Sequence, residues 1–447
     1  MRQSKPELHP RGLPKAVAEV CAHLEERGLR TFSHGEGLLD DLRAASGADI
    51  PAAAAHDRAE ECEPDELGAA PRPLRPTRSL LCVARPDQLL RALPRAVVTG
   101  ERAERLTQAS ADGPIDLVPT EAFPGRPSAD RRSPEAALLA FGLGPLGFAF
   151  RPADESWCDP ADQLEAFRQG RLEPVASVPN VFEAAPRRYW IAARLLAEYE
   201  LEPSAGLIAA AREAFTSVAE RLPQAQPARR ELARVLAAER PGPALAFLRE
   251  SGVSGYLFPG TTAVQEERIA LLPNVPAIRW AAWLRGSATA AALARLRMPH
   301  ALARQIERAQ TSHPIERSVE AGRDHGLRRL LQRHAPPEIS ALLAWRRIEL
   351  EASPNRSEAQ EGLARLDRLE KRIEEARAAA ERTGLVRTLA LDGEAVMRLL
   401  DAGPGPHVGR ALAHLAQVIA EHPEANEPDT LEAELRRWAA AHTNLLD

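Results

Sequence analysis

Long apolar runs are missing from this sequence of 447 residues. No stretch of about 18 uncharged apolar residues occurs, so no membrane-spanning helix is expected. The N-terminal segment MRQSKPELHPRG has no apolar core and therefore does not resemble a secretion signal. We expect a cytoplasmic protein with no membrane partner.

Cysteine is scarce as well, with residues at positions 21, 62, 82 and 158 only. They show no CxxC spacing and no neighbouring histidine pair, which argues against a structural zinc site and against a disulfide framework. The twelve histidines form no metal-binding pattern. We therefore expect reduced thiols and no metal bound by cysteine or histidine.

Lysine is almost absent, since only Lys5, Lys15 and Lys371 occur among 58 basic residues. None of the three follows a glycine-rich loop, which excludes a Walker-type nucleotide site. The formal net charge is −5, so a uniformly basic nucleic-acid coat is excluded and a local basic patch is not. Apolar residues make up 44% of the chain, enough for one or more buried cores.

The first 150 residues combine helical and strand patterns. Apolar spacing predicts a helix over 14–27, and a proline at the first helical position marks another over 86–93. Short apolar runs predict buried strands over 79–83 and 115–118. Residues 44–77 are rich in alanine, proline and acids and lack periodicity, which indicates an insertion or linker.

From about residue 160, helical patterns joined by proline or glycine turns continue to the end. The clearest lies over 357–382, where apolar residues keep 3-4-3-4 spacing and arginines and acids alternate on the other faces. This length fits packing against neighbouring helices better than a long coiled coil. The chain is therefore expected to be α+β, with a small mixed N-terminal part and an all-α remainder.

Four segments, in order along the chain, resemble segments of a known family. They are PDQLLRALPRAVVTG at 86–100, WCDPADQLEAFRQGRLEPV at 157–175, FEAAPRRYWIAARLLAEYELEP at 182–203 and LALDGEAVMRLLDAGPGPHVGRALAHLAQVI at 389–419. The chain thus resembles the class II tRNA nucleotidyltransferases, which are the bacterial CCA-adding enzymes, and the related poly(A) polymerases. The resemblance implies a polymerase-β-like nucleotidyltransferase head over 1–150, with a mixed sheet and helices. An all-α neck, basic body and tail would follow over 151–260, 261–350 and 351–447.

Nucleotidyl transfer needs carboxylates that hold two Mg²⁺ ions at the attacking oxygen and the triphosphate. The family supplies an Asp-x-Asp pair and a third acid on a neighbouring strand. Where the resemblance places the pair, this chain has Thr-Arg-Ser at 77–79, or Asp-Ile-Pro at 49–51 in a second register. Neither offers two acids, and Asp116 is either the remaining third acid or a strand-end acid without a role. We expect no metal and no cofactor, unless displaced acids such as Asp49, Asp112 and Asp116 hold Mg²⁺.

The resemblance also indicates which residues would meet an incoming CTP or ATP. Gly35 and Gly37 stand in the family's glycine turn beside the triphosphate, although Glu36 adds a negative charge between them. Arg188 and Arg194 correspond to family arginines of the neck, whereas the aspartate of the base-reading pair is replaced by alanine. Ordinary turn glycines and an ion-paired helix face are the alternatives for these residues.

A local basic region favours RNA binding. Residues 285–347 contain twelve arginines and five acids within a chain that is acidic overall, and such a surface binds a polyanion by releasing counterions. The RNA contacts predicted in the neck, body and tail are Arg187, Arg328, Arg329, Arg346, Arg347, Gly405, His407 and Arg410. Gly405 begins a helix whose free N–H groups favour a phosphate. Trp345 is either a base-stacking residue or a core aromatic.

Three functions remain open. In the first, the chain is a catalytically inactive member of this family that binds tRNA or another structured RNA. In the second, it is an active CCA-adding or RNA 3′-terminal nucleotidyltransferase with displaced carboxylates. In the third, it is a protein-interaction scaffold that uses the helical tail and the segment 44–77. Mg²⁺-dependent nucleotide incorporation identifies the second function, and salt-dependent RNA binding separates the first from the third.

Overall fold

The structure is a computed structural model. It describes residues 13–45, 78–99, 105–121, 133–175, 181–222, 225–319, 324–382, 389–403, 405–422 and 425–441. These residues form two compact units that divide between Arg304 and Gln305. Apart from a helix end at 44–45, the insertion predicted over 44–77 lies outside the described residues. The division into head, neck, body and tail stays a prediction.

The first unit opens with a sheet of seven strands. They are β1 Thr31–His34, β2 Arg78–Cys82, β3 Val97–Thr99, β4 Arg105–Gln108, β5 Ile115–Pro119, β6 Ala149–Arg151 and β7 Ser156–Cys158, in the spatial order β3-β4-β5-β2-β1-β6-β7. β2 and β5 run parallel at the centre, whereas the other neighbours pair antiparallel. The strands predicted over 79–83 and 115–118 are confirmed with ends shifted by one residue. Strand β4 was not predicted.

Helices cover both faces of this sheet. Helices α1 (Lys15–Glu25) and α3 (Pro86–Ala92) pack on one face, against buried residues that include Leu80 and Leu117. Helix α4 (Pro134–Phe141) packs on the other, against Leu81. Because successive side chains of a strand point to opposite faces, the residues next to Leu80 and Leu117 lie on the α4 face.

Helix α2 (Glu36–Ala45) follows β1 directly, through a turn at Gly35. The backbone of Gly35 has φ of 72°, in the left-handed region that glycine adopts without steric cost. The buried residues Leu38, Leu39 and Leu42 fix one side of α2 against the first unit. The other side is therefore available for polar contacts.

An Asp-Pro turn begins helix α5 (Gln163–Arg168). The carboxylate of Asp159 accepts the backbone N–H groups of Gln163 and Leu164, each at 2.9 Å. A helix start leaves such donors without partners inside the helix, so Asp159 stabilises the beginning of α5. Two short parallel strands, β8 (Arg171–Leu172) and β9 (Glu202–Pro203), connect this region to the helices that follow.

The rest of the first unit is helical. Its helices are α6 Val181–Ala184, α7 Arg188–Glu198, α8 Ala205–Val218, α9 Gln226–Ala237, α10 Gly242–Glu250, α11 Val253–Leu257, α12 Ala263–Ile269, α13 Pro276–Trp283, α14 Thr289–Arg295 and α15 His300–Thr311, which contains the division between the units. Helix α7 packs against α9 and α10. Its side chains Tyr189 and Trp190 are fully buried.

A buried arginine closes the end of α9. Arg279 in α13 is 5% exposed and donates to the backbone carbonyls of Leu236, Ala238 and Leu272 over 2.6–3.3 Å. The last carbonyls of a helix lack intrahelical partners and carry the negative end of its dipole. Burial lowers the pKa of Arg279, but this hydrogen-bonded position still suits a cation.

The described residues of the second unit form helices and no strand. Its helices are α16 Asp324–Arg333, α17 Pro336–Glu351, α18 Arg356–Arg382, α19 Gly393–Leu400, α20 Pro406–Glu421 and α21 Pro428–Ala441. Helix α17 packs against α18, and α16 packs against α20. Leu415, Leu431 and Leu435 lie in the core of the last three helices. The predicted α+β class is confirmed, and no described helix is long and apolar enough to cross a membrane.

Candidate functional site

Four polar side chains form a row across the α4 face of the sheet. In the strand register Thr107 is opposite Asp116, Asp116 is opposite Ser79, and Ser79 is opposite His34. Residues directly opposite each other in adjacent strands share a face, with Cβ atoms about 4.5–5.5 Å apart. The row therefore places Asp116 beside Ser79, which the resemblance set at the second position of the Asp-x-Asp pair.

Asp116 is committed to contacts within the sheet. Its side chain is 9% exposed, Thr107 donates to its Oδ1 at 2.7 Å, and the Nη1 atom of Arg105 lies 3.3 Å from its Oδ2. Hydroxyls and one carboxylate are a weak ligand set for Mg²⁺, which prefers carboxylate oxygens. Among the described residues, no group of three or more His, Cys, Asp or Glu side chains is placed to hold a metal ion. The described part of this row does not fit a pair of magnesium ions.

The side chain of Arg78 packs against the glycine turn. Its Nη1 donates to the carbonyl of Gly37 at 2.5 Å and to Oδ2 of Asp41 at 2.6 Å. A Cβ atom at Gly37 would lie 2.7 Å from Cδ of Arg78, so glycine permits this close approach. Burial raises the pKa of Asp41, and the hydrogen bond from Arg78 opposes that rise. A guanidinium here would repel a metal ion.

Asp112, one of the displaced acids of the alternative function, does not lie beside Asp116. The Oδ2 atom of Asp112 accepts the backbone N–H of Ala16 at 3.3 Å, at the start of α1. Helix α1 packs on the sheet face opposite to the one that carries Asp116. Asp49 lies outside the described residues. The described structure therefore brings Asp116 together with hydroxyls and an arginine.

His34 ends the row as a buried aromatic. It is 5% exposed, its ring stacks on Phe141 with centroids 5.2 Å apart, and neither ring nitrogen has a hydrogen-bond partner among the described residues. Burial lowers the pKa of His34 to about 4. The ring is therefore neutral at physiological pH and packs as part of the core.

Arg188, predicted to contact nucleotide, is engaged by the backbone. Its guanidinium donates to the carbonyls of Val181 and Ala140, each at 2.6 Å. It also lies against Gly142, where an added Cβ would come within 2.9 Å of its Cζ. Arg188 thereby connects α4 to α6 and α7.

Arg194, the second predicted nucleotide contact, is 3% exposed and surrounded by carboxylates. It donates to Glu36 at 2.6 Å, to Glu198 at 3.0 Å and to Glu231 at 2.5 Å. Burial opposes its charge, and the three carboxylates outweigh burial, so the pKa of Arg194 is raised well above its usual value. Arg234 shares Glu198, at 2.6 and 2.8 Å, and Glu36, at 3.4 Å.

Two further residues of α2 contact the segment after α7. The hydroxyl of Tyr199 donates to Oδ1 of Asp40 at 2.9 Å. Arg43 donates to the side chain of Glu200 at 2.5 Å and to the carbonyl of Glu198. Burial first and Asp40 second raise the pKa of Tyr199 far above its usual value. These contacts were not predicted, although positions 36, 40 and 43 share one helix face.

Two arginines predicted to bind RNA in the body are ion-paired. Arg346 donates to Glu316 at 2.6 Å, and Arg347 donates to Asp367 at 2.8 Å and Glu370 at 2.9 Å. Trp345 is 5% exposed and stacks on His313 with ring centroids 3.7 Å apart. Of the two interpretations of Trp345, the core aromatic is confirmed.

Other predicted RNA contacts lie at the surface. Arg328 and Arg329 are exposed on α16, Arg187 is exposed just before α7, and Arg410 is exposed on α20. Gly405 is the residue before α20, and Nε2 of His407 lies 2.9 Å from the carbonyl of Gly403, within the same turn. Helices α16 and α20, which carry three of these arginines, pack against each other. Their role in RNA binding stays a prediction.

The fold is similar to that of several solved proteins. A Bacillus stearothermophilus CCA-adding enzyme in complex with CTP has a TM-score of 0.64 and 16% identity, covering 96% of this chain and 98% of that chain. A Thermotoga maritima CCA-adding enzyme complexed with tRNA has a TM-score of 0.56 and 14% identity, covering 96% of both chains. A CCA-adding enzyme in complex with ATP has a TM-score of 0.58 and 14% identity, covering 94% of each chain.

This likeness at low identity concerns the fold. The α+β architecture, with its seven-stranded mixed sheet followed by helices, is that of the CCA-adding enzymes. No protein-family model and no curated protein sequence matches the chain. The fold implied by the four sequence segments is therefore confirmed by solved structures that share few of its residues.

Proposed function

We propose that this protein uses the fold of the CCA-adding enzymes to bind tRNA or another structured RNA and does not transfer nucleotides. The observation that carries the proposal is the register of β2 and β5. Asp116 lies opposite Ser79 on the α4 face and is paired with Arg105. Among the described residues, this one carboxylate, beside a hydroxyl and a guanidinium, cannot hold the two cations that nucleotidyl transfer needs.

RNA is the proposed ligand because solved proteins with this fold include complexes with tRNA and with CTP. The second unit of this chain presents exposed arginines at 328, 329 and 410. Guanidinium groups suit phosphate contacts, since their planar donors match two phosphate oxygens. The side chains of Arg346 and Arg347 are only 20% and 35% exposed, so we assign them a smaller share of the binding.

The first experiment measures catalysis. Purified full-length protein is incubated with Mg²⁺, labelled CTP or ATP, and tRNA that lacks its 3′ end, and we expect no incorporation. Any incorporation would overturn the inactive assignment, and its loss in Asp116→Asn would favour displaced carboxylates. Asp87→Asn is the matched control, because its carboxylate pairs with exposed Arg91 on α3.

The second experiment measures RNA binding by anisotropy of labelled tRNA over a range of salt concentrations. Arg328→Gln/Arg329→Gln should weaken binding about tenfold or more and reduce the salt slope by about 1.5, since each lost phosphate contact removes roughly 0.7–0.9. Arg436→Gln/Arg437→Gln on α21 is the matched control, because both arginines are highly exposed and pair with nearby acids.

Retention of RNA that does not depend on salt, or no retention at all, would contradict the proposed RNA function. A stable protein complex in a pull-down would then favour the interaction-scaffold alternative. If the control pair weakens binding as much as the α16 pair, the binding surface lies elsewhere on the second unit.

A further inference from the structure

One face of α2 carries three charged residues at the spacing i, i+4 and i+7. They are Glu36, Asp40 and Arg43, and each contacts the segment from α7 to β9 or helix α9. Residues at this spacing project from one side of a helix. These three residues of α2 are therefore engaged by segments that follow the sheet.

Glu36 differs in origin from the other carboxylates around Arg194. Glu198 belongs to α7, which also carries Arg194, and Glu231 belongs to α9. Glu36 comes from α2 and lies 158 positions away from Arg194 in the chain. Of these three carboxylates, it is the one that connects the turn after β1 to the arginine pair of α7 and α9.

An external anion would meet strong competition at this place. The side chains of Arg194 and Arg234 are 4% and 20% exposed, and three carboxylates face them. A tethered carboxylate competes as an intramolecular partner with a high effective concentration. An incoming anion would also be repelled by Glu198 and Glu231.

We propose that Glu36 is a built-in occupant of this arginine pair, which holds α2 against α7 and α9 and denies Arg194 to external anions. The contact sits at the beginning of α2, one residue after the left-handed turn at Gly35. Opening would require Glu36, Asp40 and Arg43 to lose their partners together. This inference does not depend on whether the second unit binds RNA.

Hydrogen exchange on the full-length protein tests whether Glu36 holds α2 against α7 and α9. In Glu36→Gln, the amides of residues 38–45 should exchange about tenfold faster or more, because the variant loses the charged bonds to Arg194 and Arg234. Glu231→Gln is the matched control, since it removes one carboxylate from the same arginine but leaves α2 attached. We expect α2 exchange in the control to stay within about twofold of the wild type.

Glu36→Asp separates the effect of losing the contact with Arg194 and Arg234 from a helix-dipole effect. Aspartate keeps a negative charge in the first turn of α2, which favours the helix by itself, but its carboxylate is one methylene shorter. The proposal predicts faster α2 exchange in this variant too. Glu36→Asp also provides the test if Glu36→Gln fails to fold. Unchanged α2 exchange in the folded Glu36 variants would overturn the proposal, as would equal acceleration in Glu231→Gln.

Inorganic tripolyphosphate tests the exclusion of anions. In the wild type, a millimolar concentration should leave the exchange of α7 and α9 amides unchanged, because Glu36 occupies the arginines. Protection of α7 in the wild type that disappears in Arg194→Gln would show that an external anion reaches this arginine. That outcome would overturn the proposal.

Discussion

Replacing Arg194 by methionine removes the common partner of three carboxylates. Methionine keeps much of the side-chain volume and provides no donors, so the variant isolates the electrostatic role of the guanidinium. Three charge-assisted hydrogen bonds, at about 1.5–3 kcal/mol each, set an upper bound of roughly 5–9 kcal/mol. Breaking a buried pair by deleting one partner costs about 3–5 kcal/mol.

The expected loss of unfolding free energy lies near the lower end of the range of about 3–5 kcal/mol. Arg234 still contacts Glu36 and Glu198 in the variant, so Glu231 loses most. The side chains of Glu36 and Glu231 are also 29% and 25% exposed, which lets water replace part of the interaction. We therefore expect Arg194→Met to lower the free energy of unfolding of the first unit by about 3 kcal/mol.

Native-state hydrogen exchange of buried amides in α7 and α9 measures this loss for the first unit alone. Arg240→Met is the control, since the Arg240–Glu202 pair is more than half exposed on both sides and should contribute less than about 1 kcal/mol. A loss below about 1 kcal/mol, equal to that of the control, would refute the reasoning.

Two more predictions concern buried basic groups. The pKa of His34 is lowered to about 4, so the unfolded chain binds a proton below about pH 6.5 that the folded chain does not. The contribution of His34 to stability should therefore be constant above pH 6.5 and decrease towards pH 4. In urea unfolding, His34→Phe should flatten the decrease in stability over this pH range. An unchanged pH profile in the variant would contradict this prediction. Arg279→Met should lower the free energy of unfolding of the first unit by about 3–5 kcal/mol, since the backbone carbonyls at the end of α9 lose their partner. The control Arg212→Met, at an exposed arginine, should lower it by less than about 1 kcal/mol. Equal losses in the two variants would refute this prediction.

Much of the sheet could be predicted from the sequence because its central strands are apolar. The runs at 79–83 and 115–118 are buried on both faces, which is typical of strands at the centre of a sheet. β4 has the sequence RLTQ, with one buried apolar residue, so no local pattern marks it as a strand. Its position is set by pairing with β5 and β3.

The polar partners of the candidate site could not be predicted in the same way. In a chain where nearly all basic residues are arginine, local sequence does not distinguish an arginine that meets a distant acid from one that faces solvent. Arg194 finds Glu36 from 158 positions away, whereas Arg329 on α16 is exposed. Only tertiary packing separates these two cases, because side-chain desolvation depends on the whole fold.

Asp159 and Arg188 lie in two of the segments that resemble the family, and both hold main-chain atoms in place. Asp159 secures a helix start, and Arg188 binds two carbonyls. Such residues report how the polypeptide is folded and carry no information about bond-making at a phosphate. A motif search that rewards them would group this chain with polymerases on architectural grounds, even if it has never joined a nucleotide to an RNA end.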